Sequence, residues 1–426
     1  MCSWKLDLHS YQRQQSNIPG CMKELINNDK MICRLLNIIY GHDTDDVLSV
    51  LVKKLTPGTD VQGNLSDCGR VSISVVMCNG DKHQYSWFVK VQPIDHQNSE
   101  LFSQFNLFEN EIEFYQKIAP ELREFVEESQ SEGTDIQFDI PELIHAEMED
   151  DRAIIILEDL VGAGYRQVKD DNGDRYLTLE EALLAVESIA KIHAASYALQ
   201  LKRNINLGSE HPNLEVSGML WSNDEMASRL TTMKDYYCDI LKESDKPDSP
   251  VLVERFQKKF DSPEKLKQMC TMRTCRASEN NGSRSLNCLH QGDFHFNNLM
   301  FKQEDDGSMN VRIVDWQMTY TGRAGGDVAY LLMSSIAPEL YDSDEETIKE
   351  RYFEMFNETF YNLIREKSWK QMVEEVEEML EQDYEESLPL GFLFSCGNVM
   401  NKETKRESQV SFAYHLCNEA AIKNLI

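Results

Sequence analysis

The sequence predicts an α+β chain of two lobes, a small β-sheet lobe followed by a larger, mainly helical one. Its 426 residues exceed one ordinary domain, so two core-bearing lobes are expected. Alternating apolar residues, the period of a strand, are concentrated early, whereas helical spacing dominates later.

Residues 1–50 mix polar and apolar character, with a possible helix from Asp29 to Tyr40, and are read as a partly helical extension. The run Val71-Ser72-Ile73-Ser74-Val75-Val76 alternates like a strand. Asn79-Gly80-Asp81 is a turn signal, and Tyr85 to Val91 is the next strand. Leu107 to Ile118 carries Leu107, Phe108, Ile112, Tyr115 and Ile118 at helical spacing, the one key helix of the small lobe. Ala153 to Leu157 is short and wholly apolar, as a buried strand is, and breaks at Glu158-Asp159-Leu160. The first lobe is therefore set at 51–158 and the helical lobe at 159–426. Within the latter, Thr178 to Leu199 is the clearest helix, and Thr178 with Glu181 forms a capping box. Residues 242–285 are polar and show little periodicity beyond Val253 to Phe260, so they read as an insertion or mobile loop. Met372 to Glu386 is an acidic helix with a solvated face.

Bulk composition narrows the function. A net charge of -30 repels phosphodiester backbones and anionic lipid, which argues against nucleic-acid or membrane-surface binding. No stretch approaches the roughly 20 apolar residues of a membrane span, and the first residues lack a secretory h-region. Eleven cysteines without a C-x-x-C pair read as free thiols in a reducing cytoplasm. Cys270 and Cys275 lack partners at metal-ligand spacing, and no G-x-S-x-G hydrolase signature occurs.

The chemistry concentrates in His290-Gln291-Gly292-Asp293-Phe294-His295-Phe296-Asn297-Asn298-Leu299-Met300-Phe301. A polar loop holds Asp293, with Asn298 five residues on, and leads into an apolar strand. The next strand, Val311-Arg312-Ile313-Val314, ends on Asp315. Phosphoryl transfer needs one carboxylate to orient an attacking hydroxyl and accept its proton, and an amide plus a second carboxylate to hold Mg2+ against phosphates. Alone, D-x-x-x-x-N is weak; followed by a strand and a terminal Asp, it is specific. Lys90, in Phe88-Val89-Lys90-Val91, sits on a strand from which it could reach phosphates.

These segments resemble the aminoglycoside phosphotransferase and choline kinase superfamily, and within it the ecdysteroid kinase-like family. The doubled Asn297-Asn298, Val314-Asp315-Trp316-Gln317 and Gly326-Asp327-Val328-Ala329-Tyr330-Leu331-Leu332 carry the similarity. Leu157-Glu158-Asp159-Leu160 and Ala190-Lys191-Ile192-His193-Ala194-Ala195-Ser196 extend it, from about Gly58 to Gly397. The resemblance implies a bilobal protein-kinase-like fold using ATP and Mg2+. It makes Asp293 the catalytic base and Asn298 and Asp315 the Mg2+ ligands, with Asp327 bracing the loop through backbone N–H groups. It also makes Lys90 the phosphate lysine and Glu111 its partner, since Glu111 fits the F-x-x-E-x-x-x-Y spacing from Phe108 to Tyr115. Gly63, Asn64 and Ser66 would belong to the loop covering the phosphates, and Glu158 to Leu160 to the hinge that meets adenine.

Two positions depart from or vary within the family pattern. Relatives place His two residues before the catalytic Asp, where this chain has Gln291, with His290 one step earlier. Gln donates and accepts, so the scaffold can survive, while catalytic rate is the property at risk. His295 is a substrate-side candidate or a packed loop histidine, and His193 reads as core packing. The expected activity is ATP-dependent phosphorylation of a lipophilic alcohol, an ecdysteroid-like steroid or a xenobiotic. A choline- or aminoglycoside-type kinase and a nucleotide-binding pseudokinase are the alternatives.

Overall fold

The structure, a computed structural model, describes residues 47–55, 67–92, 104–130, 133–149, 152–168, 176–219, 223–273, 286–337, 340–364, 370–397 and 406–426. The chain divides into two compact units, one reaching Gln104 and including Pro141–Arg166, the other Phe105–Ile140 with Gln167–Ile426. The extension read over residues 1–50 lies outside the described residues except where the first strand begins at Val47.

The first unit holds an antiparallel sheet of β1 (Val47–Leu55), β2 (Asp67–Met77), β3 (Lys82–Val91), β4 (Leu143–Glu149) and β5 (Arg152–Glu158), in the order β1-β2-β3-β5-β4. Alternation in β2 and β3 buries Val71, Ile73 and Val75 together with Trp87, Val89 and Val91. Their connection turns on Gly80 at φ +92, where the Met77 N–H reaches the Asp81 carbonyl at 2.8 Å. β1 and β4 were not anticipated; β4 carries His145, Glu147 and Glu149, which dilute a strand signal.

Asp159, just after β5, ties this unit together. It is buried, yet accepts a two-pronged bond from Arg70 of β2 at 2.7 Å to each oxygen. Burial alone would raise the Asp159 carboxyl, but bonds from Arg70, the Ser86 hydroxyl and the Gly162 N–H outweigh it and lower it.

The second unit opens with α1 (Leu107–Glu113), which passes through a π turn (Phe114–Ile118) into α2 (Ala119–Ser129). Next come α3 (Leu179–Arg203), two short helices (Leu207–Glu210 and Pro212–Met219), then α4 (Asp224–Leu241), α5 (Ser249–Lys259) and α6 (Pro263–Arg273). Four short strands follow, β6 (Asn287–His290), β7 (Leu299–Gln303), β8 (Met309–Ile313) and β9 (Tyr320–Arg323). The unit ends with α7 (Gly326–Ser335), α8 (Tyr341–Ile364), α9 (Lys370–Ser395) and α10 (Arg406–Ile422). β6 pairs with β9 and β7 with β8, both antiparallel.

α3 begins at the expected capping box, with the Glu181 N–H donating to Thr178 Oγ1 at 3.3 Å and the Thr178 N–H to Glu181 at 2.9 Å. Its mean hydropathy of 1.2 over 18 residues is high enough for a membrane span, contrary to the reading that no stretch approaches one. Some 72% of that window is buried inside the unit, so α3 is a core helix, with α8 packed along it.

Three expectations need correction. The helix assigned to the sheet lobe groups with the second unit, because Asn110 Nδ2 donates to the carbonyls of Gln317 and Thr319 at 3.0 and 2.7 Å. Phe114, in the π turn, stacks on Trp316 at 4.0 Å, closing the same junction. The polar stretch 242–285 contains α5 and α6, which bury Leu252, Phe256 and Phe260 and then Leu266 and Cys270 at four-residue spacing. That sparse stripe is enough for two short helices; residues 274–285 lie outside the described set. The acidic helix has a solvated face as expected at Glu377, Glu378, Glu381 and Glu385, but Asp383 is fully buried. There it accepts the Leu286 N–H at 2.8 Å, just ahead of β6.

Arg70→Ala would leave the Asp159 carboxylate buried without its cation. The expected cost is about 3 kcal/mol, seen as a lower urea midpoint than wild type at neutral pH; an unchanged midpoint would refute this view of the first unit.

Candidate active site

The loop after β6 is held through its backbone. α3 presents a polar stripe to β6: Ser196 Oγ accepts the Leu289 N–H at 2.9 Å, and Gln200 Nε2 donates to the Asn287 carbonyl at 2.7 Å. At the other end of the strand, the Thr319 hydroxyl donates to the His290 carbonyl. Beyond it the chain enters Gly292 at φ +92, where a Cβ would lie 2.0 Å from the Met318 carbonyl oxygen. Only glycine fits that approach.

Asp327, at the start of α7 and wholly buried, gathers the loop. Its Oδ2 accepts the Gln291 N–H at 2.8 Å and faces His193 Nε2 at 3.4 Å. Its Oδ1 accepts the Gly292 N–H at 3.2 Å and faces His290 Nδ1 at 3.3 Å. Two backbone N–H groups donate to this carboxylate, and two imidazole nitrogens lie within 3.4 Å of it. His193, His290 and Asp327 offer ligand atoms within 4.8 Å of one another, close enough for a metal ion. The two backbone donors already on the carboxylate instead make the group a polar brace.

Burial pushes the Asp327 carboxyl up, but the electrostatic pull of His290 and the bonds from His193 and His290 hold it well below the usual carboxylate range. Burial depresses His193 to about 4, so at neutral pH it is an uncharged imidazole with the Tyr352 hydroxyl 2.8 Å from Nδ1. His193 is thus buried as expected, but as a hydrogen-bonding core residue rather than as packing alone.

Gln291 makes three hydrogen bonds at the position where the resemblance places a scaffold histidine. Its Nε2 donates to the carbonyls of Val314 and Asp315 at 3.0 and 2.7 Å, and its Oε1 accepts the Asp293 N–H at 2.8 Å. A single imidazole has two ring nitrogens, and Gln291 makes three bonds. It fixes the backbone of Asp293 against that of Asp315, which is held in the left-handed region at φ 61, ψ 67.

Three of the predicted residues are thereby brought together. Asn298 Nδ2 donates to the Asp293 carbonyl at 2.8 Å and to its carboxylate Oδ2 at 3.2 Å. The Asn298 carbonyl accepts the Val314 N–H at 3.0 Å, placing Asn298 beside the strand end that carries Asp315. Asn298 spends its amide nitrogen on Asp293, so its amide oxygen is the atom it could offer a metal. An amide oxygen and a carboxylate are the hard donors that Mg2+ takes, so this donor set fits the ion. His295 Nε2 lies 3.5 Å from Asp293 Oδ2, so it stands beside the carboxylate itself.

The other predicted residues are distributed between the units. Lys90, on β3 of the first unit between Cys68 and Ile155 of the neighbouring strands, is 4% exposed. Glu111, on α1 of the second unit, is 1% exposed. Glu158 exchanges backbone and side-chain bonds with Glu142 at 3.0 and 3.2 Å, and the Leu160 carbonyl accepts the Tyr165 N–H at 2.9 Å. Gly63, Asn64 and Ser66 lie outside the described residues. Asn110, Ser196, Gln200 and Asp383 were missed. Their only signal was a polar residue at an apolar-periodic position or just before an apolar run.

A backbone-braced loop with a carboxylate, an amide and a second carboxylate at the next strand end defines the class of small-molecule kinases. The model of the ecdysteroid kinase-like family matches residues 61–364, more than half of the chain, and the protein belongs to that family. A comparison with curated proteins finds no match. Among solved structures, an aminoglycoside phosphotransferase from Streptomyces rimosus with ADP and streptomycin is 13% identical, covering 92% of this chain and 97% of its own, at a TM-score of 0.28. A variant aminoglycoside 2'-phosphotransferase IIIa with GDP is 11% identical, covering 93% and 98%, at 0.36. Scores this low add nothing to the family match.

The brace carries a pH signature. His193 titrates near 4 in the fold against an ordinary 6.5, so the unfolded chain takes up its proton first on acidification. Its stabilising contribution is complete above pH 6.5 and is lost as pH falls towards 4, about 3 kcal/mol in all. Urea melts of wild type and His193→Gln across that window should show a shallower pH slope in the variant. Identical slopes would contradict a buried neutral His193.

Proposed function

We propose that the protein is an ATP-dependent kinase that transfers the γ-phosphate to a hydroxyl of a lipophilic alcohol, an ecdysteroid-like steroid or a xenobiotic. The family match supports the kinase class, and the family's description supports a sterol acceptor. The observation that carries the reading is Asp293, with one carboxylate oxygen held at 3.2 Å by Asn298 on a loop whose N–H groups are fixed by Asp327.

In this reading the acceptor hydroxyl is oriented by the Asp293 carboxylate. Its oxygen forms the new bond to the γ-phosphorus, the bond from that phosphorus to the β-bridging oxygen breaks, and ADP leaves with that electron pair. The hydroxyl proton passes to Asp293. Asn298 and Asp315 would hold Mg2+, which when bound neutralises charge on the phosphates. Lys90 is assigned to the phosphates, with Glu111 as the residue that keeps it in place. The hinge is assigned to Glu158–Leu160, whose backbone would meet adenine. The protein is assigned to the cytoplasm.

Purified protein with Mg-ATP and a panel of sterols, choline and aminoglycosides should form ADP and a phosphorylated sterol. Asp293→Asn should lower turnover by about 10²–10⁴-fold with nucleotide affinity retained. Nucleotide binding without product from any alcohol would mark a pseudokinase, and product from choline alone would overturn the acceptor class.

A further inference from the structure

We propose that His295 is a positioning residue for Asp293: its Nε2–H is turned to the carboxylate and, together with Asn298, sets the orientation of that carboxylate before substrate binds. This deepens the kinase reading above and rests on it.

Two nitrogens approach the same oxygen of Asp293. Asn298 Nδ2 donates to Oδ2 at 3.2 Å, and His295 Nε2 stands 3.5 Å from it. The second separation is longer than a formed hydrogen bond but close enough to become one, and contacts of this kind shorten when substrate fills a site. The Asp293 side chain is 34% exposed and that of His295 14%, so the carboxylate is the more open partner of the two.

The surroundings of the ring decide which nitrogen carries the proton. His295 Nδ1 is buried without a hydrogen-bond partner. A buried N–H with no acceptor is rarer in folded proteins than an unused lone pair, so Nδ1 is the poorer place for a proton. An ionised carboxylate, for its part, accepts and cannot donate. Both demands put the proton on Nε2, towards Asp293.

The fold keeps the ring in that place. Its centroid is 5.7 Å from that of Tyr330 on α7 and 5.4 Å from that of Phe296, which meets it edge-on. The His295 carbonyl accepts the Asn298 N–H at 2.9 Å, and the next N–H, that of Phe296, donates to Ser335 Oγ at 3.0 Å. α7 thus holds the loop twice, with Asp327 on Gln291 and Gly292 and with Tyr330 and Ser335 on His295 and Phe296. In the kinase reading Asn298 divides its amide between Asp293 and Mg2+, whereas His295 serves the carboxylate alone. The acceptor's proton still passes to Asp293; His295 gains and loses none. Its contribution is a base already aimed when the hydroxyl arrives.

The test uses the full chain with Mg-ATP and whichever alcohol of the panel wild type phosphorylates fastest. His295→Phe keeps a ring against Tyr330 and removes the N–H. It should lower kcat about tenfold and leave the KM values for ATP and for the alcohol unchanged. His295→Gln, whose amide restores a donor, should recover most of that loss. Added to Asp293→Asn, His295→Phe should lower the residual rate no further, because the carboxylate it serves is gone. Two-bond proton–nitrogen NMR of histidine-labelled wild type, with the His295 signal identified by its loss in His295→Phe, should show the proton on Nε2. Wild-type kcat in His295→Phe, an effect confined to the KM of the alcohol, a His295→Gln enzyme no faster than His295→Phe, or a proton on Nδ1 would each overturn the proposal. Absence of product from every alcohol would contradict the kinase reading instead; a proton on Nε2 would then leave the contact with Asp293 standing, and one on Nδ1 would remove it.

Discussion

The second unit depends on one buried anion. Asp327 is shut away from water, a position in which an uncompensated carboxylate would cost many kcal/mol, and it is compensated by two loop N–H groups and two histidines. The constraint runs both ways. The carboxylate needs those donors, and the donors are the backbone of the residues just before Asp293. The position of Asp293 is thus set by atoms that any sequence would carry, provided Gly292 keeps φ +92 and the carboxylate sits beneath.

Around that anion each bond narrows the freedom of the next group. Gln291 ties the Asp293 N–H to the carbonyls of Val314 and Asp315. Asn298 spends its amide nitrogen on Asp293. Asn110 and Phe114 bind α1, with Glu111 between them, to the turn that follows Asp315. Groups ordered before substrate arrives incur little cost when charge moves, which is how such a site gains rate. Gln291 holds its place in this chain of bonds without a titratable group.

Much of this was legible in the chain itself. The D-x-x-x-x-N loop, the strand ending on Asp315 and the lysine on β3 announce themselves by spacing, because loop and strand are local structures. Strands β2, β3 and β5 and helix α3 were legible for the same reason. The partners were not, because they come from far away in sequence. Asn110 reaches Gln317 and Thr319, Asp383 reaches Leu286, and His193 reaches Asp327. A polar residue inside an apolar-periodic helix says that something is buried with it but not what. The grouping of α1 with the turn after Asp315 was hidden likewise, since it rests on a side-chain amide and one stacked ring. α5 was seen only in part, as the short helical stretch near Val253 to Phe260, and α6 escaped because few apolar residues, well spaced, suffice for a short helix against a large core.

The arrangement of Asn298 and Asp315 is tested most directly by a crystal structure with Mg2+ and a non-hydrolysable ATP analogue. The expected result is a magnesium ion within about 2.1 Å of Asn298 Oδ1 and an Asp315 carboxylate oxygen, with Asp293 next to the terminal phosphate. Magnesium held by other residues, or a nucleotide whose terminal phosphate lies away from Asp293, would contradict it.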